Sequence, residues 1–152
     1  MPKPKVFFVV GHSNWGKSKT LRALTNEDYR VRRTTISGVE YFIRRMSNDD
    51  LPDSFIEWMT MVNPKKWPNI LATLCPDFED PDKGTVAVLQ ALQDKGYKLF
   101  FWVLSKKFGT NDFIQAHEIS RLRAFGKVEV IKDEWEASVR GKKFKAFVIS
   151  AQ

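Results

Sequence analysis

Three short apolar runs stand out in a chain whose other segments mix apolar and polar positions. They are Lys5–Val10 (KVFFVV), residues 69–75 (NILATLC) and Lys98–Leu104 (KLFFWVL). Each is short and rich in β-branched or aromatic residues, so each reads as a strand buried on both faces. Between them the period changes. Leu21 and Leu24 share a face over residues 17–24, and Phe55, Trp58, Met59 and Val62 form a helical stripe. Ser54, with Glu57 three positions on, reads as a capping box opening that second helix. Thr85, Val88, Leu89 and Leu92 give a third helix that Gly96 would stop, and Phe113, Ala116, Ile119 and Leu122 a fourth, over 112–125, ending at Gly126.

Two β-prone runs, 29–36 and 39–46, flank Ser37-Gly38 and predict an antiparallel hairpin. Tyr29 and Val31 alternate there with Arg30 and Arg32, which implies one wet face. Residues 128–131 read as a short strand and 144–149 as a last edge strand after a basic turn. Strands alternating with helices are the pattern of βαβ units. The expected fold is α/β: a three-layer α/β/α sandwich on a mostly parallel sheet, P-loop NTPase-like, with one antiparallel hairpin. With no repeat, low-complexity tract or linker composition, residues 1–152 read as a single domain.

Composition changes this picture little. No stretch reaches the roughly 18 unbroken apolar residues of a membrane span, so no membrane partner is expected. Cys75 is the single cysteine, which rules out an internal disulfide and suggests a reducing, cytoplasmic setting. The net charge of +7 favours polyanions such as nucleotides or nucleic acid. Arg140, Lys142, Lys143 and Lys145 form a basic cluster suited to phosphate backbones, so nucleic acid is a candidate partner.

The chemistry lies directly after the first strand. Gly11-His12-Ser13-Asn14-Trp15-Gly16-Lys17-Ser18 satisfies G-x-x-x-x-G-K-[ST] without exception. Glycines let the chain turn tightly enough for backbone N–H groups to point inward around a phosphate. Lys17 is placed to reach β- and γ-phosphates, and the Ser18 hydroxyl to coordinate magnesium. Lys19 follows directly, and Trp15 reads as packing on the domain rather than stacking on a base. On this motif, and on its strand–helix order, the chain resembles the P-loop NTPase superfamily. The resemblance implies binding of a nucleoside triphosphate with Mg2+, and often hydrolysis or phosphoryl transfer.

Magnesium in such sites usually needs a carboxylate at the end of a neighbouring strand. The order strand, loop, helix, hairpin, acid is similar to that of Ras-like GTPases. That alignment implies Asp49 or Asp50 as the magnesium acid and Thr34 or Thr35 as the switch threonine. If residues 69–75 instead lie beside the first strand, Asp77 becomes the better acid; the Asp49/Asp50 pair is the leading choice. Neither Asp49-Asp50-Leu51-Pro52 nor Asp50-Leu51-Pro52-Asp53 carries the glycine of Asp-x-x-Gly. The slot for a guanine-reading Asn-Lys-x-Asp holds Ser105-Lys106-Lys107-Phe108, so ATP is expected ahead of GTP.

Arginines could neutralise transition-state charge, from the hairpin (Arg30, Arg32, Arg33, Arg44, Arg45) or from a lid bearing Arg121 and Arg123. His12 and His117 have no metal-ligand partner at useful spacing, and Cys75 reads as a buried strand residue. Three functions remain open. They are a magnesium-dependent NTPase, a small P-loop kinase passing the γ-phosphate to a small molecule or polynucleotide, and a module that binds nucleotide without turnover.

Overall fold

The computed structural model describes residues 3–107, 109–132 and 136–152. Phe108, in the base-reading slot, lies outside them. The apolar runs are the centre of one sheet. Strand β1 (Lys5–Val10) pairs in parallel with β4 (Asn69–Leu74) on one side and β5 (Lys98–Leu104) on the other. Strands β3 (Val39–Arg44) and β6 (Gly126–Ile131) extend the parallel array outward, and β2 (Arg33–Ile36) closes one edge antiparallel to β3. The order is β2-β3-β4-β1-β5-β6.

Each central strand feeds both faces, because successive side chains alternate across a sheet. Val6, Phe8 and Val10 of β1 join Phe55 and Met59 of α2 (Pro52–Met61), Val88, Leu89 and Leu92 of α3 (Thr85–Asp94) and Leu122 of α4 (Ala116–Arg123). Phe7 and Val9 face the other way, onto Leu21 of α1 (Lys17–Arg22) and Phe144, Phe147 and Val148 of α5 (Ala137–Ser150). Helices on both faces of a mostly parallel sheet make the expected three-layer α/β sandwich. Among the described residues no helix is long and apolar enough to cross a membrane.

The hairpin turn forms as read, but the first run gives a strand only from Arg33, and Tyr29 and Val31 ahead of it are exposed like Arg30 and Arg32, so no dry face alternates with a wet one there. Ile36 pairs with Val39 across Ser37 and Gly38, both at positive φ, the geometry that matches strand twist in a two-residue turn. Gly96, at φ 94°, ends α3 as expected, with Tyr97 N–H returning to the Leu92 carbonyl. Four further local expectations are corrected. Residues 144–149 belong to a 14-residue helix rather than an edge strand. The apolar pattern there is Phe144, Phe147 and Val148, a helical i, i+3, i+4 set that lies flat on the sheet. Helix α2 opens at Pro52, with Leu51 before it, so Ser54 lies inside the first turn and accepts a hydrogen bond from Arg44. Proline's fixed φ starts the helix without a serine cap. Helix α4 is shorter than the periodic stretch 112–125, because Glu118 reaches back to the Gln115 N–H and fixes its start. Gly126 opens β6 rather than ending that helix, since a Cβ there would collide with the Leu99 carbonyl of β5.

Candidate phosphate-binding site

The loop between β1 and α1 is already shaped around its lysine. Gly11 continues the pairing to β4 by donating to the Leu74 carbonyl, and Asn14 and Gly16 turn the chain through left-handed φ values of 66° and 93°. The Lys17 Nζ donates to the Gly11 carbonyl at 2.6 Å and to the His12 carbonyl at 3.1 Å. Burial lowers its pKa, while Asp49 and Asp50 among its neighbours favour the charge. An ammonium held in this way, with only carbonyl partners, gains by meeting an anion.

Trp15 packs on the domain, buried beside Gly11 and Leu104. The His12 ring turns onto α4, with Nε2 2.8 Å from the Glu118 carboxylate and Nδ1 3.7 Å from the Cys75 sulfur. Both residues therefore offer the loop their backbone rather than their rings. Burial pushes the Cys75 thiol up to about 11, so the sulfur is a neutral packing group at ordinary pH. Ser13, Asn14, Ser18 and Lys19 are exposed on the loop's outer side. Ser18 lines a cavity of about 330 Å3 together with Lys17, Asp49 and Asp50. On the other flank, His12, Ser13, Asp49, Asp77 and Lys83 line an open cleft of about 600 Å3.

The carboxylates arrive by an unforeseen route. β3 pairs with β4, not with β1, so the Ras-like alignment does not hold; β4 stands between the hairpin and β1. Thr34 and Thr35 accordingly sit in the outer β2 ladder opposite Tyr41 and Glu40. Asp77 follows the strand that does flank β1, yet its Oδ1 accepts from the Glu79 and Asp80 N–H groups and caps its own loop. Asp49 nevertheless reaches the phosphate loop, because Asn48 ties the two strand exits together. The Asn48 amide accepts from the Cys75 N–H at 2.7 Å and donates to the Cys75 carbonyl and the Thr85 hydroxyl. Burial pulls the Asp49 pKa up, but hydrogen bonds from Lys83 and Ser13 outweigh it and hold the carboxyl below its ordinary value. Asp50 accepts from the Ser47 N–H and hydroxyl.

Asn48, Lys83, Glu118 and Arg140 were not singled out for this site from sequence. No local motif marks them, since each acts across a large sequence separation. Arg140 was read as part of a surface basic cluster. It is instead buried, donating through Nε to Thr20 of α1 at 2.9 Å, while Lys142, Lys143 and Lys145 lie at exposed positions of α5. Arg121 and Arg123 are at exposed positions of α4, with Arg121 over the Phe78 ring and 3.9 Å from Glu79. Asn48→Ala would strand the Cys75 N–H in a buried site, at a cost of about 2 kcal/mol. Urea melts should show that loss, and an unchanged midpoint would mean that the exits are held by other contacts.

Ser18 and the aspartates supply oxygen donors of the kind magnesium takes, and a carboxylate faces the serine across one cavity. Among the described residues no three His, Cys, Asp or Glu cluster as a self-contained metal site. A magnesium ion would therefore take most of its remaining ligands from nucleotide and water.

No protein-family model matches the chain, and no curated protein matches it. A solved structure does: the solution NMR structure of a de novo designed PLOOP2X3 fold protein. It shares 13% identity at a TM-score of 0.56, covering 97% of this chain and 92% of that one. The fold is P-loop-like. At that identity the likeness concerns the fold alone, and the chemistry rests on the residues described above.

Proposed function

We propose that the protein binds a nucleoside triphosphate with magnesium on residues 11–18 and hydrolyses it, with ATP favoured over GTP. The observation that carries this reading is Lys17, a buried ammonium held by two loop carbonyls beside Ser18 and two carboxylates. In the bound state Lys17 leaves the Gly11 and His12 carbonyls for the β- and γ-phosphates. The loop's N–H groups, widened by the turns at Asn14 and Gly16, surround the β-phosphate. Ser18 and Asp49 or Asp50 would hold the magnesium, which would neutralise charge developing on the phosphates. The preference for ATP rests on the sequence alone, in which Ser105 and Phe108 stand where the guanine-reading Asn and Asp of Asn-Lys-x-Asp are expected.

Phosphate release measured with ATP and with GTP, with and without magnesium, tests the reading. Magnesium-dependent release from ATP is expected; tight binding with no release would leave a non-hydrolysing module, and equal rates with GTP would remove the base preference. Asp49→Asn, Asp50→Asn and Asp77→Asn then locate the acid. The expected order of effect is Asp49 largest, about tenfold or more in the magnesium requirement, and Asp77 smallest, because Asp77 caps its own loop. A dominant loss with Asp77→Asn would move the metal to the opposite flank.

A further inference from the structure

Beside the phosphate loop, four arginines gather with no carboxylate at ion-pair distance among the described residues. Arg22 of α1, Arg32 ahead of β2, and Arg44 and Arg45 at the end of β3 line one cavity of about 370 Å3 with Ser18 and Tyr29. Among the described residues none of these arginines is within ion-pair distance of a carboxylate; the pairs formed by neighbouring arginines are Arg30–Asp28 and Arg33–Glu40. Arg45 gives its terminal nitrogens to the carbonyls of Asp28, Tyr29 and Val31 and to the Thr25 hydroxyl. Arg44 gives one to Ser54. The Nε–H of each is buried without an acceptor. Burial first, and then the Arg32 charge, holds both guanidiniums below their ordinary pKa, with Arg22 adding to the effect on Arg45 and Asp28 partly opposing it there. Mutual repulsion is a cost that the fold alone does not require, and an anion in the cavity would relieve it.

This cavity continues in two directions. Ser18, Arg22 and Arg45 also line the phosphate-loop cavity. Arg44 and Ser54 also line a cleft of about 480 Å3 containing Trp58, Trp67 and Lys66. There Phe42 stacks on Trp58 at 5.4 Å and leans on Trp67 at 4.4 Å, leaving both indoles half-buried in the cleft wall. Arg44 stands over the Trp58 ring, Lys66 over Trp67, and Met61 at the rim is 73% exposed. A small phosphorylated ligand would need only the arginine cavity. A run from clustered cations into an indole-walled cleft fits the alternating phosphates and bases of a polymer.

We propose that this groove binds single-stranded nucleic acid, with phosphates on Arg22, Arg32, Arg44 and Arg45 and a base in the cleft of Trp58 and Trp67. The strand would follow these connected cavities, none of which is lined by the exposed lysines Lys142, Lys143 and Lys145 of α5. The partner's chemistry is a flexible phosphodiester chain, since a duplex keeps its bases stacked and cannot offer one to the cleft.

The test is fluorescence anisotropy of the full chain with a labelled oligothymidylate of about 12 nucleotides, without nucleotide and over a salt series. Omitting nucleotide lets this inference fail independently of the phosphate-loop reading. Binding that weakens with salt is expected. Arg22→Gln with Arg32→Gln should weaken it at least tenfold and reduce the log–log salt slope by about 1.4, at about 0.7 per lost phosphate contact. Lys66→Glu, at an exposed position, should weaken it severalfold and serves if the double variant fails to fold. Lys142→Gln with Lys145→Gln should change little. Four results would overturn the proposal: no wild-type binding at low salt, loss confined to the α5 variant, tighter binding of duplex, or equal competition by thymidine monophosphate or polyglutamate.

Discussion

Lys17→Ala is expected to weaken ATP binding by roughly a hundredfold while leaving the fold in place. The magnitude follows from the charge-assisted contacts that one ammonium makes to phosphate oxygens, together worth about 3 kcal/mol. The fold should survive because the removed charge is one that burial already disfavours, against which stands the loss of two hydrogen bonds to Gly11 and His12. These effects oppose each other, so the change in stability should stay within about 1 kcal/mol. Calorimetric titration with magnesium and ATP, beside a thermal melt, measures both. An unchanged Kd would sink the site; a collapsed melt would assign Lys17 a structural role, which Lys17→Met, keeping the apolar stem, would separate from binding.

The largest stability effect is expected at a residue far from the motif. Phe144 of α5 is fully buried against Trp102 of β5, with ring centroids 5.5 Å apart. Phe144→Ala removes that ring from a closed interface, and losses of this kind run to about 3–5 kcal/mol. A urea midpoint lowered accordingly, with an unchanged slope, would confirm that α5 seals one face of the sheet. Were residues 144–149 a wet edge strand, the same change would cost under about 1 kcal/mol. The helix also carries Arg140 to Thr20, so the variant should bind nucleotide less tightly even where it remains folded.

Much of the architecture was legible because the relevant signals are local. Continuous apolar runs identify the central strands, since a strand covered on both faces cannot afford polar positions. Ser37-Gly38 marks the hairpin because its turn needs positive φ at both residues. The misreadings have physical causes as well. The pattern from Phe144 to Ile149 is short enough to satisfy either period, and packing on Trp102 decided for the helix. Gly126 looked like a helix stop, whereas its missing side chain makes room for the Leu99 carbonyl of the next strand.

The candidate site divides along the same line. The candidate loop from Gly11 to Ser18 could be read directly, because its motif is made of consecutive residues. The acid could not, because strand order is a property of the sheet and not of any segment. With β4 rather than β3 beside β1, the Ras-like alignment failed. Asn48 then drew the 47–50 turn back to the loop by bonding to Cys75. The sequence by itself determined the G-x-x-x-x-G-K-S loop after the first strand, with its lysine and its serine. Only the tertiary structure decided which carboxylates face them and where Arg22, Arg32, Arg44 and Arg45 collect, because those groups meet across strands that the chain visits far apart.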